Sequence, residues 1–382
     1  MKITHFCLAG TITDGWSYQE NMLSKYHAEL GHIVSIITSN WVYDNGNKLY
    51  KYPKADYFLE NCVRVIRLQI KNRDQLGFKF KRYIGVVEAL NKTEPDILFI
   101  HGCQFLDMDK VVAYLKEHLN TIVYVDNHAD FSNSATNFLS KYVLHGIVWR
   151  HTAHMILPFA KKFYGVLPAR VEFLKNVYRL PASKVELLVM GGDDELVDNA
   201  SKHREIIRRK YHIDEKDFFI VSGGKIDKWK AQTILLMKAV QNIKGTNVKL
   251  LVFGSVDPEL KKGLESLVDG KKIQYIGWIQ ADYSYDLFAA ADLAVFPGRH
   301  SVFWEQVVAQ GIPLIVKDWP GTHHIDLGRN VKYLRKDSVE EIQNVISNII
   351  DSPETYRSML ECAQENKTAF SYKEIARKSI NE

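Results

Sequence analysis

The sequence has few cysteines and no long apolar run. Its four cysteines, Cys7, Cys62, Cys103 and Cys362, are scattered and form no Cys-x-x-Cys pair. They indicate neither a zinc site nor a disulfide framework, and they favour a reducing cytoplasm. No run approaches eighteen apolar residues, so no membrane-spanning helix is expected. The short N-terminal apolar run is interpreted as a core strand and not as a secretory signal.

A concentrated charge of one sign is also lacking. The net charge is +5, and neither half of the chain carries most of it. A nucleic-acid-binding protein needs a dense basic face, so that class is disfavoured. The composition, 46% apolar and 25% charged, is typical of a soluble globular protein. A length of 382 residues suits two domains.

Short apolar runs alternate with helical patterns along the chain. Strands are predicted at 2–8, 33–38, 63–69, 96–101, 121–127, 155–158 and 185–190, and again at 218–224, 248–254, 273–277, 293–297, 314–317 and 332–334. Short strands separated by helices predict βαβ units and a parallel sheet. The fold class is therefore α/β, with two doubly wound Rossmann-like domains, 1–195 and 196–382. The charged stretch 193–216 is interpreted as the linker, and the last helices are candidates for packing back on the first domain.

The most specific signal is the loop after the strand predicted at 218–224. That strand ends in Gly223-Gly224, and Lys225 and Lys230 follow. Two glycines let the backbone turn sharply and approach a ligand closely. Two ammonium groups there suit the negative charge that develops on a nucleoside diphosphate leaving group. A solvated lysine-rich loop is the alternative that the spacing leaves open.

A second signal follows the strand predicted at 293–297. Residues 298–301 lead into a predicted helix, 302–310. A helix N-terminus offers unpaired N–H groups to a diphosphate. Glu305, near the start of this helix, is placed to accept hydrogen bonds from ribose hydroxyls. The alternative is that Glu305 is only a favourable first-turn acid.

With these residues, the second domain resembles the donor domain of family-4 retaining glycosyltransferases, whose GT-B fold has two Rossmann-like domains facing a central cleft. That family carries Gly-Arg and, five or six residues later, Lys-Gly. This sequence has Gly224-Lys225 and then Lys230-Ala231. The first cation is therefore a point charge in place of a planar fork. The resemblance implies that Lys225 and Lys230 bind the donor diphosphate.

The family also carries two glutamates separated by seven residues, before a turn like Gly311-x-Pro313. Counted back from that turn, the second glutamate position falls on Gln306, directly after Glu305. The first falls on Gly298, and His300 or Arg299 would occupy the space instead. The resemblance leaves open whether Glu305 or Gln306 holds the ribose.

The resemblance also assigns the remaining donor contacts. The segment 275–279 takes the place where the family holds the nucleobase, largely through backbone groups. The turn 317–324 is either a donor-sugar contact or structural. The expected donor-binding residues are Gly15, Gly224, Gly277, Trp278, Ile279, His300, Ser301, Val302 and Gln306.

The first domain is expected to bind the acceptor. Its loop 10–15, which ends in Gly15, follows the first strand as a glycine-rich loop does in the family. It matches neither the dinucleotide fingerprint nor a P-loop. His128 follows the strand predicted at 121–127, where the family often has a histidine near the donor sugar and the acceptor. A neutral imidazole there would bond the sugar or help to remove the acceptor proton, and a structural His128 is the alternative.

Neither a metal nor a cofactor is expected. No Asp-x-Asp motif stands in the appropriate place, and the acidic residues 193–195 are interpreted as solvated charge. His151 and His154 have helical spacing for a metal but lack a third ligand. Enzymes of the family are thought to react on one face of the sugar, with the leaving phosphate helping to take the acceptor proton.

The segment 71–83 interleaves basic and aromatic side chains. Such a pattern suits an anionic membrane surface, so peripheral contact with the inner face of the membrane is one interpretation. An ordinary solvated face is the other.

The sequence thus predicts a cytoplasmic hexosyltransferase for polysaccharide or glycolipid biosynthesis. Its donor would be a UDP-sugar, or alternatively a GDP-sugar, and its acceptor a glycan or a lipid-linked glycan. One alternative is a catalytically inactive nucleotide- or glycan-binding subunit, motivated by Gly298. The other is a sugar-nucleotide 2-epimerase of the same fold.

Overall fold

The computed structural model describes residues 1–44, 48–71, 81–245 and 247–381. The chain forms two compact units. The N-terminal unit is Met1–Val189 with Ile375–Glu382, and the C-terminal unit is Met190–Glu374. The end of the chain therefore belongs to the first unit.

A mostly parallel sheet forms the centre of the N-terminal unit. The described strands are β1 (Lys2–Cys7), β2 (Ile33–Ser39), β3 (Trp41–Tyr43), β4 (Leu49–Lys51), β5 (Asp56–Phe58), β6 (Arg64–Leu68), β7 (Ile97–His101), β8 (Ile122–Asn127), β9 (Ala160–Gly165) and β10 (Val185–Leu187). Eight of them form one sheet in the order β10-β9-β8-β7-β1-β2-β6-β5, in which β5 is antiparallel. β3 and β4 form a separate antiparallel pair. The winding of the parallel strands reverses between β1 and β7, as in Rossmann folds.

Helices cover this sheet and bury its central strands. They are α1 (Gln19–Glu29), α2 (Val86–Thr93), α3 (Met108–Glu117), a π-helix (Leu139–Trp149), α4 (Arg150–Ile156) and α5 (Pro168–Asn176). α3 shows how they pack, because Met108, Val111, Tyr114 and Leu115 recur at helical spacing and are all buried. β7 is buried at every position, as expected for a strand covered on both faces.

The C-terminal unit contains a six-stranded, fully parallel sheet. Its strands are β11 (Phe218–Gly223), β12 (Val248–Phe253), β13 (Ile273–Tyr275), β14 (Leu293–Phe296), β15 (Leu314–Lys317) and β16 (Val331–Leu334). They lie in the order β13-β12-β11-β14-β15-β16, so the winding reverses between β11 and β14. The helices of this part of the chain are α6 (Asp194–Ser201), α7 (Arg204–Lys210), α8 (Gln232–Asn242), α9 (Pro258–Glu265), α10 (Tyr283–Ala290), α11 (Phe303–Ala309), α12 (Val339–Ile350), α13 (Pro353–Asn366) and α14 (Tyr372–Ser379).

The α/β class with Rossmann-like sheets is confirmed, and one predicted strand is wrong. Residues 155–158 lie at the end of α4 and in the turn after it, and the strand is β9, Ala160–Gly165. Lys161 and Lys162 stand within β9 and interrupt its apolar pattern, which hid it. The stretch 193–216, interpreted as a linker, forms α6 and α7 of the C-terminal unit. Asp193 caps α6, its Oδ1 accepting from the backbone N–H of Glu195 at 3.1 Å.

The two sheets define where ligands are expected. In open α/β sheets, ligands bind beyond the carboxyl ends of the strands, where the winding reverses. In the N-terminal unit this point lies at the ends of β1 and β7. In the C-terminal unit it lies at the ends of β11 and β14. The loop that ends in Gly15 follows β1, Lys225 and Lys230 follow β11, and His300 follows β14.

Candidate functional site

The loops after β11, β12 and β14 pack closely against one another in the C-terminal unit. A Cβ atom on Gly223 would lie 2.0 Å from an aromatic ring of β12, and one on Gly254 would lie 1.9 Å from the carbonyl oxygen of Gly224. Gly224 has a φ of +118°, which favours glycine. A Cβ on Gly298 would lie 3.0 Å from the Cα of Lys230. The glycines therefore allow the lysine loop to lie against the loop after β14.

The two lysines of this loop have different surroundings. Lys225 is exposed, and its Nζ lies 3.7 Å from Asp227 and 3.9 Å from Asp257. Lys230 is half-buried and forms no ion pair within the part of the chain that the structure describes. Burial lowers the pKa of Lys230, Asp227 opposes this effect, and Arg299 adds to it. A partly desolvated ammonium without a counter-ion is suited to an anionic ligand.

Glu305 is fully buried in α11, and two histidines hold its carboxylate. The Nε2 atoms of His300 and His324 each lie 2.9 Å from Glu305 Oε1, and both must donate because an ionised carboxylate only accepts. Burial alone would raise the pKa of Glu305, but His300 and His324 reverse this and hold it well below the usual range. Glu305 Oε2 is buried without a hydrogen-bond partner among the described residues. We refer to these three residues as the C-terminal clamp.

The surroundings of Glu305 and Gln306 bear on which of the two could hold a ribose. The amide Nε2 of Gln306 donates to Ser284 Oγ of α10 at 2.9 Å, so this side chain is already bound within the unit. The Glu305 carboxylate is inaccessible to solvent, whereas 14% of the His300 side chain is exposed. His324, in the turn after β15, was not singled out from the sequence, because nothing in that turn links it to α11.

The other residues of the C-terminal unit that were predicted to bind the donor follow β13 and β14 at the same rim of the sheet. α11 begins at Phe303, after Ser301 and the exposed Val302. Gly277 has a φ of +73°, and its carbonyl accepts from the backbone N–H of Gly254 at 2.6 Å. Trp278 is exposed. Ile279 lines a cavity of about 450 Å³ that α6 and α10 also border, and neither Lys225 nor Lys230 is among its lining residues.

A buried arginine holds the loop after β1 in the N-terminal unit. Arg67 Nη2 donates to Asp14 Oδ1 at 2.7 Å, and Nη1 donates to the backbone oxygens of Ile12 and Ser39. Gly15 follows with a φ of +76°. Arg67 could not be predicted from the sequence, because the sheet, and not the chain order, brings β6 beside this loop.

His128 lies after β8, next to a second buried carboxylate. Asp126 Oδ2 accepts from His101 Nδ1 at 2.6 Å and lies 3.4 Å from His128 Nε2. Burial opposes ionisation of Asp126, but His101 and then His128 hold its pKa well below the usual range. Burial would also lower the pKa of His128, but Asp126 and then Glu20 raise it. We refer to His101, Asp126 and His128 as the N-terminal clamp.

The described residues contain one group with the spacing of metal ligands. Glu20, His101 and His128 each place one ligand atom within 4.8 Å of the others. Both ring nitrogens of His101 are already bonded, to His5 and to Asp126, so the group has no free His101 nitrogen for an ion. His151 and His154, the pair considered from the sequence, are not part of this group. His154 Nε2 donates to the backbone oxygen of Tyr178 at 2.7 Å.

Two surface features bear on membrane contact. No helix within the described ranges combines the length and the apolar character needed to cross a membrane. Of the predicted basic and aromatic segment 71–83, residues 72–80 lie outside the described residues.

A family model matches the C-terminal unit. Residues 203–366 match the family described as glycosyl transferases group 1. The matched range includes Lys225, Lys230 and Glu305. Among curated proteins, none is significantly similar in sequence to this chain.

Solved structures with a similar fold cover nearly the whole chain. Sucrose-phosphate synthase from Thermosynechococcus elongatus is 17% identical with a TM-score of 0.68, covering 100% of this chain and 98% of its own. Anabaena HepE, in complex with UDP and glucose, is 14% identical with a TM-score of 0.63, covering 100% and 98%. A Listeria monocytogenes protein described as UDP-N-acetylglucosamine 2-epimerase is 10% identical with a TM-score of 0.63, covering 99% and 95%. These similarities show the fold, which is GT-B, and the family match of the C-terminal unit supports a glycosyltransferase.

The C-terminal clamp predicts a pH-dependent contribution to stability. Glu305→Gln should lower the free energy of unfolding by about 1–3 kcal/mol at pH 7, because two histidine N–H groups lose their ionised acceptor. The folded pKa of Glu305 lies below its unfolded value, so this stabilisation is complete above the unfolded pKa and is lost as pH falls towards the folded pKa. Urea unfolding should therefore show the two proteins converging below about pH 4.

The control for this comparison is Glu265→Gln in the same unit. Glu265 is exposed, and its Oε1 lies 3.8 Å from Lys261 Nζ. Loss of such a surface pair should change stability by less than about 1 kcal/mol. Equal effects of the two substitutions, or a Glu305 effect that does not change with pH, would contradict the clamp.

Proposed function

We propose that this chain, whose C-terminal unit matches the group 1 glycosyl transferases, is a retaining, metal-independent enzyme that transfers a hexosyl group from a nucleotide sugar. The observation that carries the proposal is Lys230. Its ammonium is half-buried, forms no ion pair among the described residues, and follows the strand at which the sheet reverses its winding. A diphosphate supplies the negative charge that this position lacks.

The proposed reaction needs no separate strong base. The bond between the anomeric carbon and the β-phosphate oxygen breaks, and the acceptor oxygen bonds to the anomeric carbon on the same face. The acceptor proton passes to the leaving phosphate. Lys225 and Lys230 stabilise the negative charge that grows on the diphosphate, which is the role of fixed cations in phosphate departure. Because these cations take the charge, the proposal assigns no metal.

The proposed donor contacts follow from the C-terminal clamp. Glu305 is inaccessible, so we assign it the role of orienting His300, whose exposed edge would contact the donor together with Ser301 and Val302. Gln306 is given a structural role, because its amide is bound to Ser284. Backbone groups of 275–279 would hold the nucleobase. UDP is the first choice of nucleotide, because HepE of the same fold is described with UDP, and GDP is the second.

The glycine at the position of the family's first glutamate motivates the inactive-subunit alternative. A steric reason for this glycine is available, since a Cβ on Gly298 would lie 3.0 Å from the Cα of Lys230. A side chain there would displace the lysine loop. We therefore interpret Gly298 as part of a different donor-site architecture and not as a sign of lost activity. The 2-epimerase alternative shares the fold and would act without an acceptor.

The first prediction concerns the donor and the stereochemical outcome. UDP or a UDP-sugar at millimolar concentration should raise the melting temperature, because a ligand of the folded state stabilises it. With the stabilising donor and a glycan acceptor, NMR of the product should show the anomeric configuration of the donor. An inverted product would contradict the retaining mechanism. Binding without any transfer or donor hydrolysis would favour the inactive subunit, and conversion of the donor at C2 without acceptor would favour the epimerase.

The second prediction isolates Lys230 from the other lysines of the loop. Lys230→Ala should lower kcat about 10²–10³-fold, the usual effect of removing one group that stabilises transition-state charge. Lys228→Ala is the matched control, because it removes the same charge from the same loop at an exposed position beside Trp229. The control should stay within a few-fold of wild type. Comparable losses in both variants would point to a general effect of loop charge and would contradict the assignment.

A peripheral membrane contact is proposed for a different surface from the one predicted. The π-helix Leu139–Trp149 and the residues before it expose large apolar side chains, namely Phe131, Phe138, Leu139, Tyr142 and Ile147. No Asp or Glu occurs from residue 131 to residue 171, whereas this stretch contains Lys141 and Arg150. Exposed apolar surface combined with a lack of negative charge suits an anionic lipid surface.

The third prediction tests this surface with vesicles. The wild-type protein should sediment with phosphatidylglycerol-containing vesicles at low salt and less with neutral ones. Ile147→Ser should reduce sedimentation several-fold by removing an apolar group from the exposed helix face. Leu119→Ser is the control, because Leu119 is 80% exposed in the same unit but lies outside the cluster. Wild-type protein that stays in the supernatant, or equal behaviour of the two variants, would exclude the contact.

A further inference from the structure

Three buried histidines form a continuous hydrogen-bonded run in the N-terminal unit. His27 Nδ1 lies 3.0 Å from His5 Nε2, and His5 Nδ1 lies 2.9 Å from His101 Nε2. The three side chains come from α1, β1 and β7, and each residue is at most 3% exposed. Neighbouring ring centroids are 5.1 Å and 5.2 Å apart in stacked pairs. We refer to His27, His5 and His101 as the histidine run.

One end of the run has a fixed proton. His27 Nε2 lies 3.0 Å from the backbone oxygen of Ala376 and 3.1 Å from Ser379 Oγ. The Ser379 hydroxyl hydrogen is directed to the same Ala376 oxygen, so Ser379 Oγ acts as an acceptor here. His27 Nε2 therefore faces only acceptors and must carry a hydrogen.

The hydrogen on His27 Nε2 determines where the ring hydrogens lie along the whole histidine run. Burial lowers the pKa of His27 to about 4 and that of His5 well below its usual range, so both rings are neutral and each carries one ring hydrogen. With Nε2 of His27 protonated, its Nδ1 must accept, so His5 Nε2 donates. The His5 Nδ1 must then accept in turn, so the hydrogen between the last two rings belongs to His101 Nε2.

The run ends on the carboxylate of the N-terminal clamp. His101 Nδ1 lies 2.6 Å from Asp126 Oδ2, and an ionised carboxylate can only accept. An ionised Asp126 therefore requires hydrogens on both nitrogens of His101. The pairing follows from the sheet, because His101 and Asp126 are directly opposed residues of β7 and β8. The same Asp126 oxygen lies 3.4 Å from His128 Nε2.

We propose that the histidine run fixes Asp126 as an ionised acceptor, and that Asp126 orients His128 so that Nε2–H faces the core. When His128 has released its second ring proton, Nδ1 is available to a sugar hydroxyl. His101 is thus a positioning residue that acts through Asp126. This inference rests on the proposed transfer reaction and on the expectation from the sequence that His128 lies near the donor sugar and the acceptor.

The charge of His101 has a further consequence for His128. A lone buried carboxylate would hold His128 as an imidazolium. The cation on His101 offsets that effect and leaves His128 able to exchange its proton. The other charged groups that act on His128 are Glu20 of α1, which favours its protonation, and Arg170 of α5, which opposes it.

The first test reads the protons of the wild-type protein directly. With ¹⁵N-labelled histidine at pH 7, NMR should show His27 and His5 as neutral rings protonated at Nε2, and His101 protonated at both nitrogens. A neutral His101 would overturn the proposal. This experiment uses neither activity nor a variant, so its result is separate from that of the proposed transfer reaction.

The second test removes the cation beside Asp126. His101→Asn should lower kcat about tenfold, less than the roughly 10²-fold or greater loss of a group that transfers the proton itself, and should change the donor KM less than twofold. The acidic limb of the pH–kcat profile should move to higher pH, because Asp126 without its cation holds the His128 proton more strongly. His154→Gln is the control. It removes a histidine of the same unit that is bonded to a backbone oxygen and not to Asp126, so it should leave the acidic limb of the profile in place.

The two tests separate the possible failures. Correct protonation in the wild type with an unmoved acidic limb in His101→Asn would overturn the positioning role. A moved limb in both variants would show a general structural effect and would also overturn it. A wild-type protein without transfer activity would remove the proposed function, and the NMR result would then decide the protonation of the run by itself.

Discussion

A buried carboxylate held between two histidine rings occurs at the carboxyl edge of the sheet in each unit. Taking a carboxylate out of water is costly, and the cost is met only if hydrogen-bond donors replace the water. His101 and His128 surround Asp126 in the N-terminal unit, and His300 and His324 donate to Glu305 in the C-terminal unit. We propose that these carboxylates orient His128 and His300, each within its own unit. In each unit, the orientation of a histidine at the rim would then depend on a buried carboxylate that a substrate would not reach.

Close backbone packing is the second constraint on the donor site. The lack of side chains at Gly223 and Gly254 lets the loop that carries Lys230 lie against the end of β12, and the lack of one at Gly298 lets it lie against the loop after β14. This packing also half-buries the ammonium of Lys230 and lowers its pKa, which prepares it for an anion. The same short loop thus has a steric requirement, the absence of side chains at the glycines, and an electrostatic one, the burial of an ammonium. The steric requirement explains why Gly298 stands where the family that the sequence resembles has a glutamate.

The histidine run connects the N-terminal clamp with the end of the chain. His27 donates to the backbone oxygen of Ala376, and Tyr124 OH donates to the backbone oxygen of Ile380, so buried polar groups of the N-terminal unit bind the end of the chain. Buried polar groups need partners, and here the C-terminal segment supplies them. This segment belongs to the first unit by its contacts, although the chain reaches it only after completing the second. Its position therefore affects the same hydrogen-bonded system that ends at Asp126.

The sequence by itself determined the alternation of strands and helices, the glycine loops after β1 and β11, and the position of the two lysines. These are local properties, set by the periodicity of apolar residues and by the turns that glycine permits. Strand β9 was not predicted, because Lys161 and Lys162 interrupt its pattern of apolar residues. The burial of Glu305 and the contacts of His324 depend on how the turn after β15 packs on α11. The histidine run joins residues 5, 27 and 101, which are far apart in the sequence and form no motif. The strand order of the sheet brings β1 beside β7 and β7 beside β8, so only the tertiary structure decided which of these side chains form hydrogen bonds with one another.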